Sequence, residues 1–176
     1  MTFPGLHEAR PLVLVAAGSA TEVTARLALA APRLARSLGL QLLPALAPLQ
    51  QPDRALALLA AAGTAGGLVW LEVDPGLALG DGCPWAQALG AWRQPTLLLL
   101  DVAQLDTGAA AATTALLRQH QVPLLGLIQW GEPWQPERRR LEALPWLGAL
   151  APDRPESQDD DGLELRLALA AQGGVG

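Results

Sequence analysis

The sequence predicts an α/β fold of three layers, with a mostly parallel central sheet flanked by helices. Short, uniformly apolar runs alternate with longer segments that carry apolar residues at helical spacing. The short runs lack polar positions, as strands do when helices cover both faces of a sheet. Glycine and proline clusters separate the segments. This alternation is typical of parallel strands joined by crossover helices, and 176 residues suit a single domain.

The first part of the chain predicts three strands and two helices. The run 11-PLVLVAA-17 is apolar throughout and ends at Gly18, which marks a turn. Val23, Leu27 and Leu34 then recur near helical spacing, and Pro32 is expected to kink or split that helix. The predicted elements are strands over 11–17, 40–46 and 68–73 and helices over 21–38 and 54–62.

The second part continues the alternation around its clearest strand. The run 96-TLLLLDV-102 is the most uniformly apolar segment and predicts a central position in the sheet. An acidic, proline-containing loop is expected over 152–162, and a loose tail over 172–176. The predicted elements are strands over 96–102 and 123–129 and helices over 85–92, 109–119, 136–144 and 163–171.

Composition narrows the classes of function. All twelve basic residues are arginine, so the chain has no lysine, and the net charge of −5 argues against a nucleic-acid partner. No apolar run reaches the ~18 residues that a bilayer crossing requires, which predicts a cytoplasmic protein with no membrane partner. Cys83 is the single cysteine, which excludes an internal disulfide and a multi-thiolate metal site.

The segment after the first predicted strand, 18-GSATEVTAR-26, aligns without gaps with a known phosphate loop. It resembles the G-T-x-T-E-V-G-K-T pattern of dethiobiotin synthases, which have a P-loop NTPase fold. Further likenesses follow in the same order along most of the chain: 47-APLQ-50, 53-DRALAL-58, 69-VWLEVDPGL-77, the stretch 94–128, and 144-LPWLGAL-150.

The resemblance implies an ATP- and magnesium-dependent ligase that closes a ureido ring from a diaminononanoate and carbon dioxide, in biotin biosynthesis. It also implies a homodimer. Asp53 and Glu72 match positions where carboxylates could hold magnesium, and Gln129 follows the strand where the family reads adenine. The implied nucleotide-binding positions are Gly18, Ser19, Thr21, Glu22, Val23, Thr24, Ala25, Arg26 and Gln129.

The closing positions of the loop depart from the family pattern. Thr24, Ala25 and Arg26 stand where the family has glycine, lysine and a magnesium-binding hydroxyl. Ala47 replaces a second lysine, and the chain has no other lysine to substitute for either. We therefore expect a degenerate, catalytically inactive member with a binding or regulatory role and no confident cofactor or catalytic residue.

Two other functions remain open from the sequence. A divergent but active ligase would place Arg26 on phosphate and use ATP with magnesium held by Asp53 and Glu72. A protein-interaction module would instead use exposed tryptophans to bind an unidentified partner, because tryptophan is enriched at binding hot spots. The tryptophans available for that role are Trp85, Trp92, Trp130, Trp134 and Trp146.

Overall fold

The computed structural model describes residues 10–47, 51–63, 66–78, 82–131 and 133–151. Within these ranges the strands are β1 Leu12–Ala16, β2 Gln41–Leu42, β3 Gly67–Trp70, β4 Thr96–Asp101, β5 Leu124–Trp130 and β6 Trp146–Leu150. The helices are α1 Ala20–Ser37, α2 Pro52–Ala61, α3 Trp85–Ala91, α4 Val102–Leu105, α5 Ala109–Gln119 and α6 Pro136–Leu141.

The six described strands form one sheet in the order β2-β3-β1-β4-β5-β6, and every pairing is parallel. The predicted α/β architecture with a parallel sheet and flanking helices is confirmed. β1 lies inside the sheet between β3 and β4, which explains why its five residues are all buried.

Apolar side chains fill both faces of the sheet. On one face, α1 packs Val23, Leu27 and Leu34 into a cluster with residues of β1, β3, β4, β5 and β6. On the other face, residues of α2, α3 and α5 pack against the alternate side chains of β1, β3 and β4. Helices therefore cover the sheet from both sides, and β1, β3, β4, β5 and β6 contribute to both cores because successive side chains point to opposite faces.

Of the two outcomes expected at Pro32, a kink or a split, the split does not occur, because α1 continues from Ala20 to Ser37 with Pro32 inside it. Proline removes one intrahelical hydrogen bond and crowds the preceding turn. The surrounding residues Ala30, Ala31 and Leu34 are fully buried against the sheet. Because most helical stability in proteins comes from burial of an apolar face, this packing maintains the helix across the proline.

The predicted strand over 40–46 is much shorter in the structure. Only Gln41–Leu42 form a ladder with β3, followed by an isolated parallel bridge between Leu46 and Leu71. Leu43 and Leu46 still donate backbone N–H groups to Leu68 and Trp70. Pro44 has no N–H to donate, which explains the interruption between them.

Several other assignments also differ from the sequence prediction. The prediction assigned no strand to 146–150, which is β6, and it extended the strand that begins at 96 to residue 102, where α4 begins. The helix predicted to reach residue 144 ends at Leu141, because Ala143 has a φ of 53° and the chain turns there. The predicted loop 152–162, helix 163–171 and tail 172–176 lie outside the described residues.

Across the described part of the chain, no helix combines the length and apolar character that would let it cross a membrane.

Candidate functional site

The strand order places a topological switch point between the carboxyl ends of β1 and β4, and we call this position the crevice. These strands are neighbours, and the helices that follow them, α1 and α5, lie on opposite faces of the sheet. Parallel α/β sheets commonly bind ligands at such a switch point, outside the carboxyl ends of the strands. The loop 17–19, which joins β1 to α1, lies at this crevice.

Backbone donors of this loop already have partners within the chain. The Gly18 N–H donates to Asp74 Oδ2 at 2.9 Å, and the Ser19 N–H donates to Glu22 Oε2 at 3.0 Å. In a phosphate loop, donors of this kind surround phosphate oxygens. Here two carboxylates occupy those directions. Gly18 has a φ of 129°, a conformation that residues with a Cβ rarely adopt.

Glu22 and Ser19 form a reciprocal cap at the start of α1. The Ser19 hydroxyl donates to Glu22 Oε2 at 2.6 Å, while Ser19 Oγ accepts the Glu22 N–H at 3.4 Å. This is the capping-box arrangement, and it satisfies donors that a helix start leaves free. The hydrogen bond from the Ser19 side chain, then that from its backbone, lowers the pKa of the Glu22 carboxyl below its ordinary value, with Arg26 adding a smaller attraction.

Arg26 reaches back across the crevice. Its Nη1 donates to the Ala17 carbonyl at 3.1 Å, and its Nε lies 3.4 Å from Asp101 Oδ2 at the end of β4. Gln104 Nε2 donates to the same Ala17 carbonyl at 2.8 Å. The side chains of Arg26, Asp101 and Gln104 therefore join the carboxyl ends of β1 and β4; we call this group the crevice bridge.

Asp101 and Gln104 also hold each other in place. Asp101 Oδ1 accepts the Ala103 N–H at 2.9 Å, and the Asp101 N–H donates to Gln104 Oε1 at 3.0 Å. These bonds cap α4 directly after β4. The crevice bridge is thus anchored on the β4 side by a helix start, just as Ser19 and Glu22 anchor the β1 side.

The side chains at the remaining positions of the 18–26 motif differ in their burial and in their contacts. Thr21 and Ala25 are exposed on α1, whereas Val23 is fully buried in the core. Thr24 Oγ1 donates to the Glu72 carbonyl at 3.3 Å and so ties α1 to the chain after β3. Of the motif residues, the structure therefore brings Gly18, Ser19, Glu22 and Arg26 to the crevice.

Gln129 lies on β5 and is buried. Its Oε1 accepts from Arg139 Nε at 3.1 Å, and its Nε2 donates to the Pro133 carbonyl at 3.5 Å. Arg139 also pairs with Glu142 and stacks over the Trp146 ring at 5.0 Å from the centroid. Trp146 Nε1 closes the network by donating to Glu142 Oε2 at 2.7 Å. We call these four residues, Gln129, Arg139, Glu142 and Trp146, the Arg139 corner.

The two carboxylates predicted for magnesium occupy different surroundings. Asp53 lies in the first turn of α2 and accepts from Trp92 Nε1 at 2.8 Å through Oδ1. Glu72 is half-buried after β3, where its carbonyl accepts the Thr24 hydroxyl. Among the described residues, no group of three or more His, Cys, Asp or Glu side chains is placed to hold a metal ion.

Sequence reasoning missed four residues that complete these arrangements. Asp74, Asp101 and Gln104 contact the loop after β1, and Arg139 contacts Gln129. A signal existed for two of them, because Asp74 follows a predicted strand and Asp101 lies near the end of another. Carboxyl ends of parallel strands meet at one edge of the sheet, so acidic residues there are candidates for contact with the loop.

All six tryptophans lie in the described residues, and none is exposed. Trp85 and Trp130 are buried, and the others are half-buried. Trp134 and Trp146 approach each other with ring centroids 6.4 Å apart. Trp85 and Trp130 are therefore not available as exposed indoles, whereas binding of a partner through the half-buried rings stays a prediction.

No protein-family model matches this sequence, and no curated protein matches it.

Proposed function

We propose that this protein is a degenerate relative of dethiobiotin synthases that retains the α/β scaffold and acts by binding or regulation, without ATP-driven catalysis. The observation that carries the proposal is the crevice bridge, together with the carboxylates on the loop N–H groups. Arg26, the cation at the last of the altered closing positions, is held by Asp101 and the Ala17 carbonyl.

Electrostatics at the loop support the proposal. A nucleotide phosphate at the Gly18 and Ser19 N–H groups would replace the carboxylates of Asp74 and Glu22, which lie at hydrogen-bond distance from them. Each displaced carboxylate would remain close to the phosphate, and like charges a few ångströms apart repel. A phosphate loop normally offsets this charge with its lysine and magnesium, and this chain has no lysine.

The residues at positions 24–26 of the loop support the proposed loss of catalysis independently of these charges. Catalysis of phosphoryl transfer depends on preorganised donors, and removal of one such donor can reduce the rate by about 100- to 1000-fold. Ala25 brings no charge to the position of the lysine, and the Thr24 hydroxyl donates to the Glu72 carbonyl. Several groups on which the ligase chemistry depends are therefore absent or engaged at the same time.

The Arg139 corner supports the loss of base recognition. Both ends of the Gln129 amide have protein partners, and the side chain is 1% exposed. Adjacent Trp130 is buried on the opposite face of β5, within the cluster that includes α1. An adenine edge would have to displace Arg139 or Pro133 to bond this amide.

Calorimetric titration with ATP and magnesium, at saturating diaminononanoate, tests the proposal. We expect no binding heat at millimolar nucleotide and no ATP-dependent ring closure. Binding at micromolar affinity that Arg26→Ala or Glu72→Ala abolishes, while the surface variant Arg54→Ala retains it, would contradict the proposal. That result would favour the divergent active ligase.

A homodimer is part of the same proposal, because the resembled enzymes dimerise. Size-exclusion chromatography with light scattering measures the mass directly against the 18.4 kDa of one chain. A monomer across micromolar concentrations would remove the dimer from the proposal. A binding role would then depend on an unidentified protein partner, and a link to biotin biosynthesis depends on the resemblance alone.

A further inference from the structure

Asp74 connects the turn that follows β3 to the loop that follows β1. Its Oδ2 accepts the Gly18 N–H at 2.9 Å, and its Oδ1 accepts the Gly76 N–H of its own turn at 2.8 Å. The Leu77 N–H donates to the Asp74 carbonyl at 3.0 Å and closes that turn. Each carboxylate oxygen of Asp74 therefore has one backbone donor, and the two donors belong to different loops.

The turn that carries Asp74 is held against two helices. The Ala86 N–H, at the start of α3, donates to the Pro75 carbonyl at 2.8 Å. A Cβ on Gly76 would lie 2.7 Å from Leu116 Cδ2 of α5, so the backbone of the turn passes close to this helix. The loop after β1, in contrast, is exposed at its tip. If the contact between the two broke, we expect the loop to move and the turn to stay in place.

Glu22 binds the same loop in a different way. Its Oε2 accepts both the Ser19 N–H, at 3.0 Å, and the Ser19 hydroxyl, at 2.6 Å. A proton on the other oxygen, Oε1, would leave both bonds in place. Asp74 lacks this alternative because both of its oxygens accept, and a protonated carboxyl oxygen becomes a donor. Protonation of Asp74 must therefore weaken one of its two bonds.

The bond between Asp74 and Gly18 can open without unfolding of the chain. It lies exposed to solvent, so water can replace either partner. Local openings of this kind cost less free energy than global unfolding, and they are characteristic of exposed loops. The buried strand β1 and the cap of α1 do not depend on this bond.

We propose that Asp74 is a pH-sensitive latch on the loop after β1. At neutral pH its carboxylate holds the Gly18 N–H and keeps the loop against the turn after β3. In acid, the protonated side chain retains the bond to Gly76 within its own turn and releases Gly18. The latch depends on these hydrogen bonds and not on the resemblance to dethiobiotin synthases, so it can be tested separately from the loss of ATP-driven catalysis.

Other charged residues surround this loop. Glu22 and Arg26 lie on α1, Asp101 lies at the end of β4, and Glu72 lies two residues before Asp74. Arg26 pairs with Asp101. The contacts of the turn with α3 and α5 described above involve a backbone N–H and an apolar side chain. The experiment must therefore distinguish the protonation of Asp74 from that of three other carboxylates.

Amide hydrogen exchange read by NMR on the full chain, from pH 7 to pH 4, tests the latch. The protection factor of the Gly18 amide, which corrects for the intrinsic effect of pH on exchange, should fall several-fold in acid. The Val13 amide, which donates to the Pro95 carbonyl beside β1, should keep its protection and so reports on the fold. Constant protection of Gly18 across this range would overturn the proposal.

Asp74→Asn is the decisive variant, because an amide of the same shape does not titrate in this range. We expect the pH dependence of Gly18 protection to disappear in it. The matched controls Glu22→Gln, Glu72→Gln and Asp101→Asn remove the other carboxylates one at a time and should retain the dependence. Dependence that persists in Asp74→Asn, or that disappears in one of the controls, would contradict the latch.

A measurement on the unaltered protein guards against a variant that fails to fold. The carboxyl carbon of Asp74 and the amide proton of Gly18 both report on the latch through their chemical shifts. We expect the two shifts to change with the same midpoint pH. Different midpoints would show that another group releases Gly18, and they would overturn the proposal.

Discussion

The loop after β1 and the Arg139 corner both contain polar groups that are paired within the chain, but the two regions differ in their exposure to solvent. In both places, polar groups where the resembled family binds a nucleotide are satisfied by side chains of the chain itself. At the loop, the partners are Asp74 and Glu22, in hydrogen bonds that lie exposed to solvent. At the corner, Arg139 and Gln129 are both buried.

The difference in burial determines what each arrangement contributes. Water can replace the partner of an exposed polar group at little cost in free energy. The hydrogen bonds of the loop therefore position it but add little to the free energy of unfolding. A buried charge that loses its partner has no water to replace it, so the corner contributes more to the folded state. Substitutions at the two regions should therefore differ in their effect on unfolding, and they test this contrast.

Arg139→Ala should give the largest loss of stability, on the order of 3 kcal/mol, because it removes the buried donor that Arg139 provides to Gln129 Oε1 and the cation that pairs with Glu142. It also removes the stacking on Trp146. Chemical denaturation measures the change. The matched control is Arg140→Ala on the same helix, whose pair with Glu137 is exposed, with 73% and 83% of the two side chains accessible.

The control should cost less than about 1 kcal/mol, as exposed ion pairs do. Equal effects of Arg139→Ala and Arg140→Ala would remove the distinction between the buried corner and the exposed surface.

Gly18→Ala should cost about 2 kcal/mol, because the φ of 129° is strained for any residue with a Cβ. A Cβ there would also lie 3.3 Å from Glu22 Oε2. Thermal unfolding of the variant measures the loss. The exposed Gly108, which has a φ of −72° and no neighbour within 4 Å of an added Cβ, offers the control Gly108→Ala. A neutral Gly18→Ala would show that the loop tolerates other conformations.

Arg26→Ala should cost about 1.5 kcal/mol, since it removes charge-assisted hydrogen bonding across a partly exposed crevice. The Arg26 side chain is 11% exposed and that of Asp101 is 34% exposed. The expected value lies between the effects of Arg139→Ala and Arg140→Ala. Urea denaturation with Arg54→Ala as the surface control tests it, and a loss as large as that of Arg139→Ala would contradict the assignment of Arg26 to a solvent-accessible bridge.

Ser19→Ala should give the smallest effect, about 1 kcal/mol at neutral pH, because it removes the helix cap. The lowered pKa of Glu22 means that its contribution is present above the unfolded pKa and lost as the pH falls through the folded pKa. The difference between Ser19→Ala and the parent protein should therefore shrink in acid. Unfolding measured from pH 7 down to pH 3 tests this, and a constant difference would exclude Glu22 as the partner.

The order and type of most elements could be predicted from the sequence, because they depend on local spacing. The run 96-TLLLLDV-102 predicted a central strand, and the helix over 109–119 matches α5 residue for residue. The sequence also shows directly that the chain has no lysine. These features concern residues within a few positions of one another.

Tertiary structure alone decided which residues meet at the candidate site. Asp74 reaches Gly18, Asp101 reaches Arg26, and Arg139 reaches Gln129 because the strand order and register place distant segments side by side. The continuity of α1 through Pro32 likewise depends on packing against the sheet. Local periodicity predicts which face of an element is apolar, but contacts across the sheet depend on how all the elements pack, and that is a property of the whole fold.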